Sequence, residues 1–120
     1  MNYLFIFLGG GLGSLARFLT SKGVDSLFKS NFPLGTFVSN ILASVILIVL
    51  VLFIETKQEE YSWVQPMLII GFCGGYSTFS TFSYETHTLI ADGNIFLAIL
   101  NVVVSLAVGI GLIFLIRMKS

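Results

Sequence analysis

Four apolar stretches, each long enough to cross a bilayer as a helix, follow one another along this chain with only short polar connectors between them. Roughly 18–20 predominantly apolar residues are needed to traverse the hydrocarbon. The stretches cover about residues 3–20, 36–54, 63–89 and 95–116. They predict an all-α membrane protein with four transmembrane helices in a single domain over 1–120. Composition agrees, since 56% of the 120 residues are hydrophobic and 10% are charged. Soluble domains carry roughly 25% charged residues. The connectors are a polar loop over Lys22–Pro33, a short acidic loop over Glu55–Ser62, and a tight turn at Asp92-Gly93-Asn94. The first stretch lacks a convincing cleavage site after it and reads as a retained helix rather than a signal peptide.

The third stretch departs from the other three. It contains Gly74-Gly75-Tyr76-Ser77-Thr78-Phe79-Ser80-Thr81-Phe82-Ser83, with Thr-Phe-Ser at 78–80 and again at 81–83. Residues three apart share a helix face, so Phe79 and Phe82 form one aromatic row. Hydroxyls at membrane depth are costly to leave unpaired, so this segment is expected to face protein, water or an ion rather than lipid. Gly74 and Gly75 each weaken a helix by roughly 1 kcal/mol relative to alanine. A break there would free main-chain carbonyls for protein, water or a cation. A kink for close packing is the alternative.

Other polar residues fall at membrane depth. Arg17 lies near or inside the first span. It either snorkels to the surface or lines an aqueous vestibule as a fixed attractor of anions, since arginine does not deprotonate. Asn40 and Ser44 share a face of the second span, and Asn101 and Ser105 share a face of the fourth. Each pair fits interhelical hydrogen bonding, or a track of donors for a small anion. Phe rings have a negative face and a positive edge, so Phe79 and Phe82 can pack or present edges to an anion. A compact, strongly hydrated anion needs several close donors that bind it weakly enough to release it. Gly9/Gly13 and Gly71/Gly75 form G-x-x-x-G steps for close helix approach. Gly11-x-Gly13-x-x-Ala16 also fits a dinucleotide fingerprint, but the soluble strand–turn–helix it requires is not in the pattern.

Several function classes are disfavoured. A formal net charge of zero gives no basic field for nucleic acid. Cys73 is the single cysteine, which excludes an intrachain disulfide and a multi-cysteine metal site. His87 has no second ligand at metal spacing, and Glu85 and His87 are expected at a solvated helix end. No catalytic triad or paired-carboxylate arrangement is evident, so no enzyme is expected. Four spans place both termini on one side with Lys57, Arg117 and Lys119, against Lys22 and Lys29 on the other. That near balance gives little direction under the positive-inside rule. It fits either one weakly fixed orientation or copies inserted both ways and paired antiparallel.

These residues resemble the Fluc/CrcB fluoride channels over nearly the whole chain. The likeness rests on Gly9-Gly10-Gly11-Leu12-Gly13 with Arg17, on Gly35-Thr36-Phe37-Val38-Ser39-Asn40, and above all on the run from Gly71 to Ser83. The resemblance implies a third helix that is broken and a dual-topology antiparallel homodimer with two pores. It implies a passive fluoride channel in the bacterial inner membrane that exports fluoride and lowers its cytoplasmic toxicity. By the same resemblance Phe79 and Phe82 stand beside the pore with Asn40, Ser80, Thr81 and Ser105. Arg17 serves the vestibule, and a structural sodium ion at the dimer centre is held by the carbonyls of Gly74 and Ser77. Gly109 stands where the fourth-helix polar track would continue, which puts its far end in doubt. Two rivals share the pattern: a proton-coupled small multidrug transporter, which needs a membrane-embedded carboxylate, and a non-transporting membrane assembly subunit.

Overall fold

The structure, a computed structural model, describes residues 2–57 and 60–120. Residues 58 and 59, in the acidic connector, lie outside the described residues. Five α-helical elements and one π-helical segment make up the chain: α1 (Asn2–Leu27), α2 (Leu34–Lys57), a π-helix (Gln65–Cys73) running into the single turn α3 (Gly74–Tyr76), α4 (Ser80–Ala91) and α5 (Ile95–Lys119). Strands are absent among the described residues. Three helices are long and apolar enough to cross a membrane, Asn2–Leu27, Leu34–Thr56 and Ile95–Lys119. The residues between Gln65 and Ala91 are divided among shorter segments.

The first connector is shorter than its polarity suggests. A polar loop was expected from Lys22, yet α1 runs on to Leu27. Ser26 Oγ donates to the Gly23 carbonyl at 2.8 Å, so this stretch meets some of its polar needs within the helix. Gly35 at the start of α2 then packs on the main chain of Ser21, where a Cβ would come within 2.9 Å of the Ser21 Cα. This seats α1 and α2 antiparallel. At the opposite end, Arg117 Nη1 of α5 donates to Glu55 Oε2 of α2 at 2.8 Å. The two chain ends therefore lie at the same end of the bundle.

Glycine dictates the tightest interface. Carbonyl oxygens of Met67 and Phe72 occupy the space where Cβ atoms would stand at Gly9 and Gly13. On the facing segment, a Cβ at Gly75 would come within 2.5 Å of the Gly10 carbonyl oxygen, and one at Gly71 within 3.0 Å of the Ile6 oxygen. The two G-x-x-x-G steps thus interlock, backbone against backbone, which gives dispersion contact without side-chain entropy loss. The π-helical segment is the part of the third stretch that receives α1. π-Helical geometry is rare and concentrates at functional sites. Pro66, at its first turn, supplies no N–H where none is needed.

Candidate functional site

The site is built where the helical path between Gln65 and Ala91 is interrupted. Tyr76 ends α3, Ser77 is extended at φ −84° and ψ 158°, and α4 resumes at Ser80. Between them Thr78 has no helical partner for its main chain. Asn40 of α2 supplies one: Thr78 N–H donates to Asn40 Oδ1 at 2.7 Å, and Asn40 Nδ2 donates to the Thr78 carbonyl at 3.2 Å. One side-chain amide thus stands in for a neighbouring strand. The same two bonds fix which end of the Asn40 amide is oxygen.

This bracket has a consequence for the carbonyls upstream. In an unbroken helix Thr78 N–H would go to the Gly74 carbonyl, but it goes to Asn40. Thr81 N–H would go to the Ser77 carbonyl, but it donates to Thr78 Oγ1 at 3.3 Å. The carbonyls of Gly74, Gly75, Tyr76 and Ser77 therefore all lack helical donors; Gly75 receives Arg17 Nε instead, and Gly74 is exposed with open space where a Cβ would stand. Hard cations take oxygen ligands, so this donor set fits a bare alkali cation.

The aromatic row leaves the same junction. Phe79 is 79% exposed on the single chain, while Phe82 is half-buried. Their ring centroids lie 6.1 Å apart with planes inclined by 40°. Ser80 is exposed beside them, and Thr81 is half-buried. Thr78 Oγ1 and Ser80 Oγ lie 3.3 Å apart. Asn40 of α2 thus meets the junction from which Phe79, Ser80, Thr81 and Phe82 lead into α4.

Arg17 and Ser105 attach from outside that cluster. Arg17 is half-buried and aims inward, its Nε donating to the Gly75 carbonyl at 3.1 Å. It ties α1 to the turn before the break rather than snorkelling to the surface. Thr20, a turn further on, meets the Tyr76 hydroxyl at 2.8 Å. Ser105 Oγ donates to Asn101 Oδ1 at 3.3 Å. Asn101, 1% exposed, donates through Nδ2 to Thr86 Oγ1 at 2.9 Å, and Thr86 Oγ1 donates to the Phe82 carbonyl at 2.8 Å. Ser105 therefore reaches the aromatic row through two intermediaries on α4 and α5. The Asn40–Ser44 pair is spent differently, Ser44 Oγ returning to the Asn40 carbonyl within α2 at 3.1 Å. At Gly109 a Cβ would stand 3.6 Å from Ser44 Oγ, so the hydroxyl that α5 lacks there is present on α2.

One placement differs from expectation. Glu85 was expected at a solvated helix end. It sits in the middle of α4, half-buried beside Thr36, with Oε1 shielded from solvent and unpaired among the described residues. Cutting the third stretch at 77–79 makes residue 85 central to a new helix rather than terminal in a long one. Thr78 and Thr86 carry interhelical polar contacts that periodicity alone did not single out, because their partners lie on other helices or on the main chain.

Residues 4–116 match the family described as CrcB-like protein, Camphor Resistance (CrcB). Curated relatives span most of the chain. A protein named fluoride-specific ion channel FluC from Coxiella burnetii (strain CbuK_Q154) is 44% identical over 108 residues, covering 89% of this chain and 87% of the relative. One of the same name from Pyrococcus abyssi is 47% identical over 112 residues, covering 93% of this chain and 89% of the relative. A third, fluoride-specific ion channel FluC 1 from Nocardia farcinica, is 37% identical over 114 residues, covering 95% of this chain and 77% of the relative.

Proposed function

The chain belongs to the CrcB-like family, and from that membership we propose that it is a passive, fluoride-selective channel of the bacterial inner membrane that lets accumulated fluoride leave the cytoplasm. The observation that carries the reading is the junction at 77–79. It sets Phe79 on the outside of the single chain beside the Ser80 hydroxyl, and main-chain carbonyls there have lost their helical donors. In lipid such groups would be stranded, at several kcal/mol for each unsatisfied main-chain group. A second copy of the chain, packed antiparallel against this face, would cover them. The third stretch then crosses the membrane as one broken span, and two pores form between the subunits.

Each site residue has a role in that arrangement. The rings of Phe79 and Phe82 turn positive edges to the ion. Ser80 and Thr81 donate hydroxyls near it, and Ser105 extends the donor track along α5. Asn40 holds the junction open and keeps one amide proton beyond its bond to Thr78. Arg17 places a fixed positive charge near the entrance. A sodium ion at the subunit boundary would be held by the Gly74 and Ser77 carbonyls. Bound there, it supplies a fixed positive charge that satisfies oxygens from both copies. None of these groups binds so strongly that a small anion would be trapped.

The rival drug-transporter reading rests on the Glu85 carboxylate alone, and the names of the relatives weigh against it. The aromatic pair is the discriminating feature. Phe79→Ile and Phe82→Ile, singly and together, are expected to cut fluoride efflux from reconstituted vesicles by at least about tenfold, the effect of losing roughly 1.4 kcal/mol of ion stabilisation. Efflux unchanged in all three variants would defeat the proposed pore.

A further inference from the structure

Thr78 carries none of the roles above, yet it stands at the centre of the junction. Its main chain is bracketed by Asn40, so its position does not depend on its own side chain. Its hydroxyl is left for other work. A threonine hydroxyl has one proton and two lone pairs. One lone pair accepts Thr81 N–H at 3.3 Å, and Ser80 Oγ lies 3.3 Å away on the exposed side. Both contacts are long for bonds of their kind, so each adds little stability at rest. Their effect is on where the protons point.

Two proton arrangements are open between Thr78 and Ser80. If Ser80 donates to Thr78, the Ser80 oxygen turns its lone pairs outward, and the Thr78 proton has no acceptor in this set of contacts. If Thr78 donates to Ser80, the Ser80 proton is free and points away from the junction, toward the space beside Phe79. An anion there selects the second arrangement. The chain Thr81 N–H to Thr78 O–H to Ser80 O–H then runs in one direction and ends on the anion. Hydrogen bonds aligned in this way polarise one another, so the last donor is stronger than an isolated serine.

We infer that Thr78 is a positioning residue for fluoride: its hydroxyl orients and polarises the Ser80 hydroxyl so that Ser80 presents a donor to the ion. This rests on the fluoride-channel reading. The side chain does not touch the ion, and its contribution passes entirely through Ser80.

The test is a double-mutant cycle on the full-length protein in liposomes, reading the fluoride concentration that half-saturates efflux. Thr78→Val removes the hydroxyl at nearly constant shape. It is expected to raise that concentration about three- to tenfold, as loss of one net hydrogen bond would. Thr78→Ser is expected to match the unmodified protein. In a Ser80→Ala background, Thr78→Val is expected to add nothing. Equal losses in both backgrounds would reduce Thr78 to a cap for α4 and overturn the inference, as would a Thr78→Val channel with unchanged half-saturation. Should Thr78→Val not assemble, Thr78→Ala enters the same cycle, and a shifted half-saturation in Thr78→Ser also overturns the inference. If the unmodified protein passes no fluoride, the channel reading itself has failed.

Discussion

Asn40 uses both ends of its amide on one residue, and few other side chains can do so. Aspartate at that position would keep an acceptor for Thr78 N–H but set a second oxygen against the Thr78 carbonyl. Alanine would leave both main-chain groups unpaired. Each lost bond is worth about 0.5–1.5 kcal/mol net, and each buried orphan costs about 1–3 kcal/mol. Both Asn40→Asp and Asn40→Ala are expected to reduce fluoride efflux at least about tenfold, and a proteoliposome assay of either variant at full rate would refute the bracket. The polarity of Asn40 at membrane depth was legible in the sequence. Its partner was not, because a main chain 38 residues away leaves no mark on periodicity. Arg17 shows the same limit, its position in the span being plain and its acceptor, the Gly75 carbonyl, invisible.

Among the elements, the contact of α1 with the π-helical segment is the most exacting. It was legible as two G-x-x-x-G steps, whose spacing already implied close helix approach. What spacing could not give was the partner, and here the two steps meet each other. Gly13→Ala would drive a methyl group into the Phe72 carbonyl, a fixed main-chain atom. Overpacking of this kind typically costs about 1–3 kcal/mol. Gly23, also in α1, has open space around it. Gly23→Ala should leave stability unchanged or raise it by up to about 1 kcal/mol, because alanine is the better helix former. Thermal unfolding of the two variants in detergent should separate them in that order, and equal melting would contradict the interlocked packing. The extension of α1 to Leu27 was not legible, since Lys22, Asp25 and Ser26 read as loop by polarity while the structure makes them the solvated last turns of a helix.

For the whole molecule, the balance of basic residues and the unpaired groups at the junction bear on one question, how copies assemble. The Arg117–Glu55 pair joins α5 to α2 at the end that carries both termini. As an exposed ion pair it adds no more than about 1 kcal/mol, so it marks an end of the bundle rather than holding it. With little charge bias, about half of the copies are expected to insert in each orientation. A cysteine introduced as Lys119→Cys should then be labelled by a membrane-impermeant thiol reagent in about half of the molecules in sealed vesicles, and complete or absent labelling would contradict antiparallel pairing. The first, second and fourth apolar stretches were legible, and each forms one long helix, because lipid demands long continuous apolarity. In the third stretch the glycine-weakened site was legible with kink and break both open, while the Asn40 bracket at Thr78 was not, since it comes from another helix.

The most direct measurement is ion efflux from liposomes containing the purified protein, with fluoride as the test ion and chloride as the control. Rapid fluoride efflux with chloride retained is the expected result. Chloride leaving as fast as fluoride, or neither ion leaving through a folded dimer, would contradict a fluoride-selective channel.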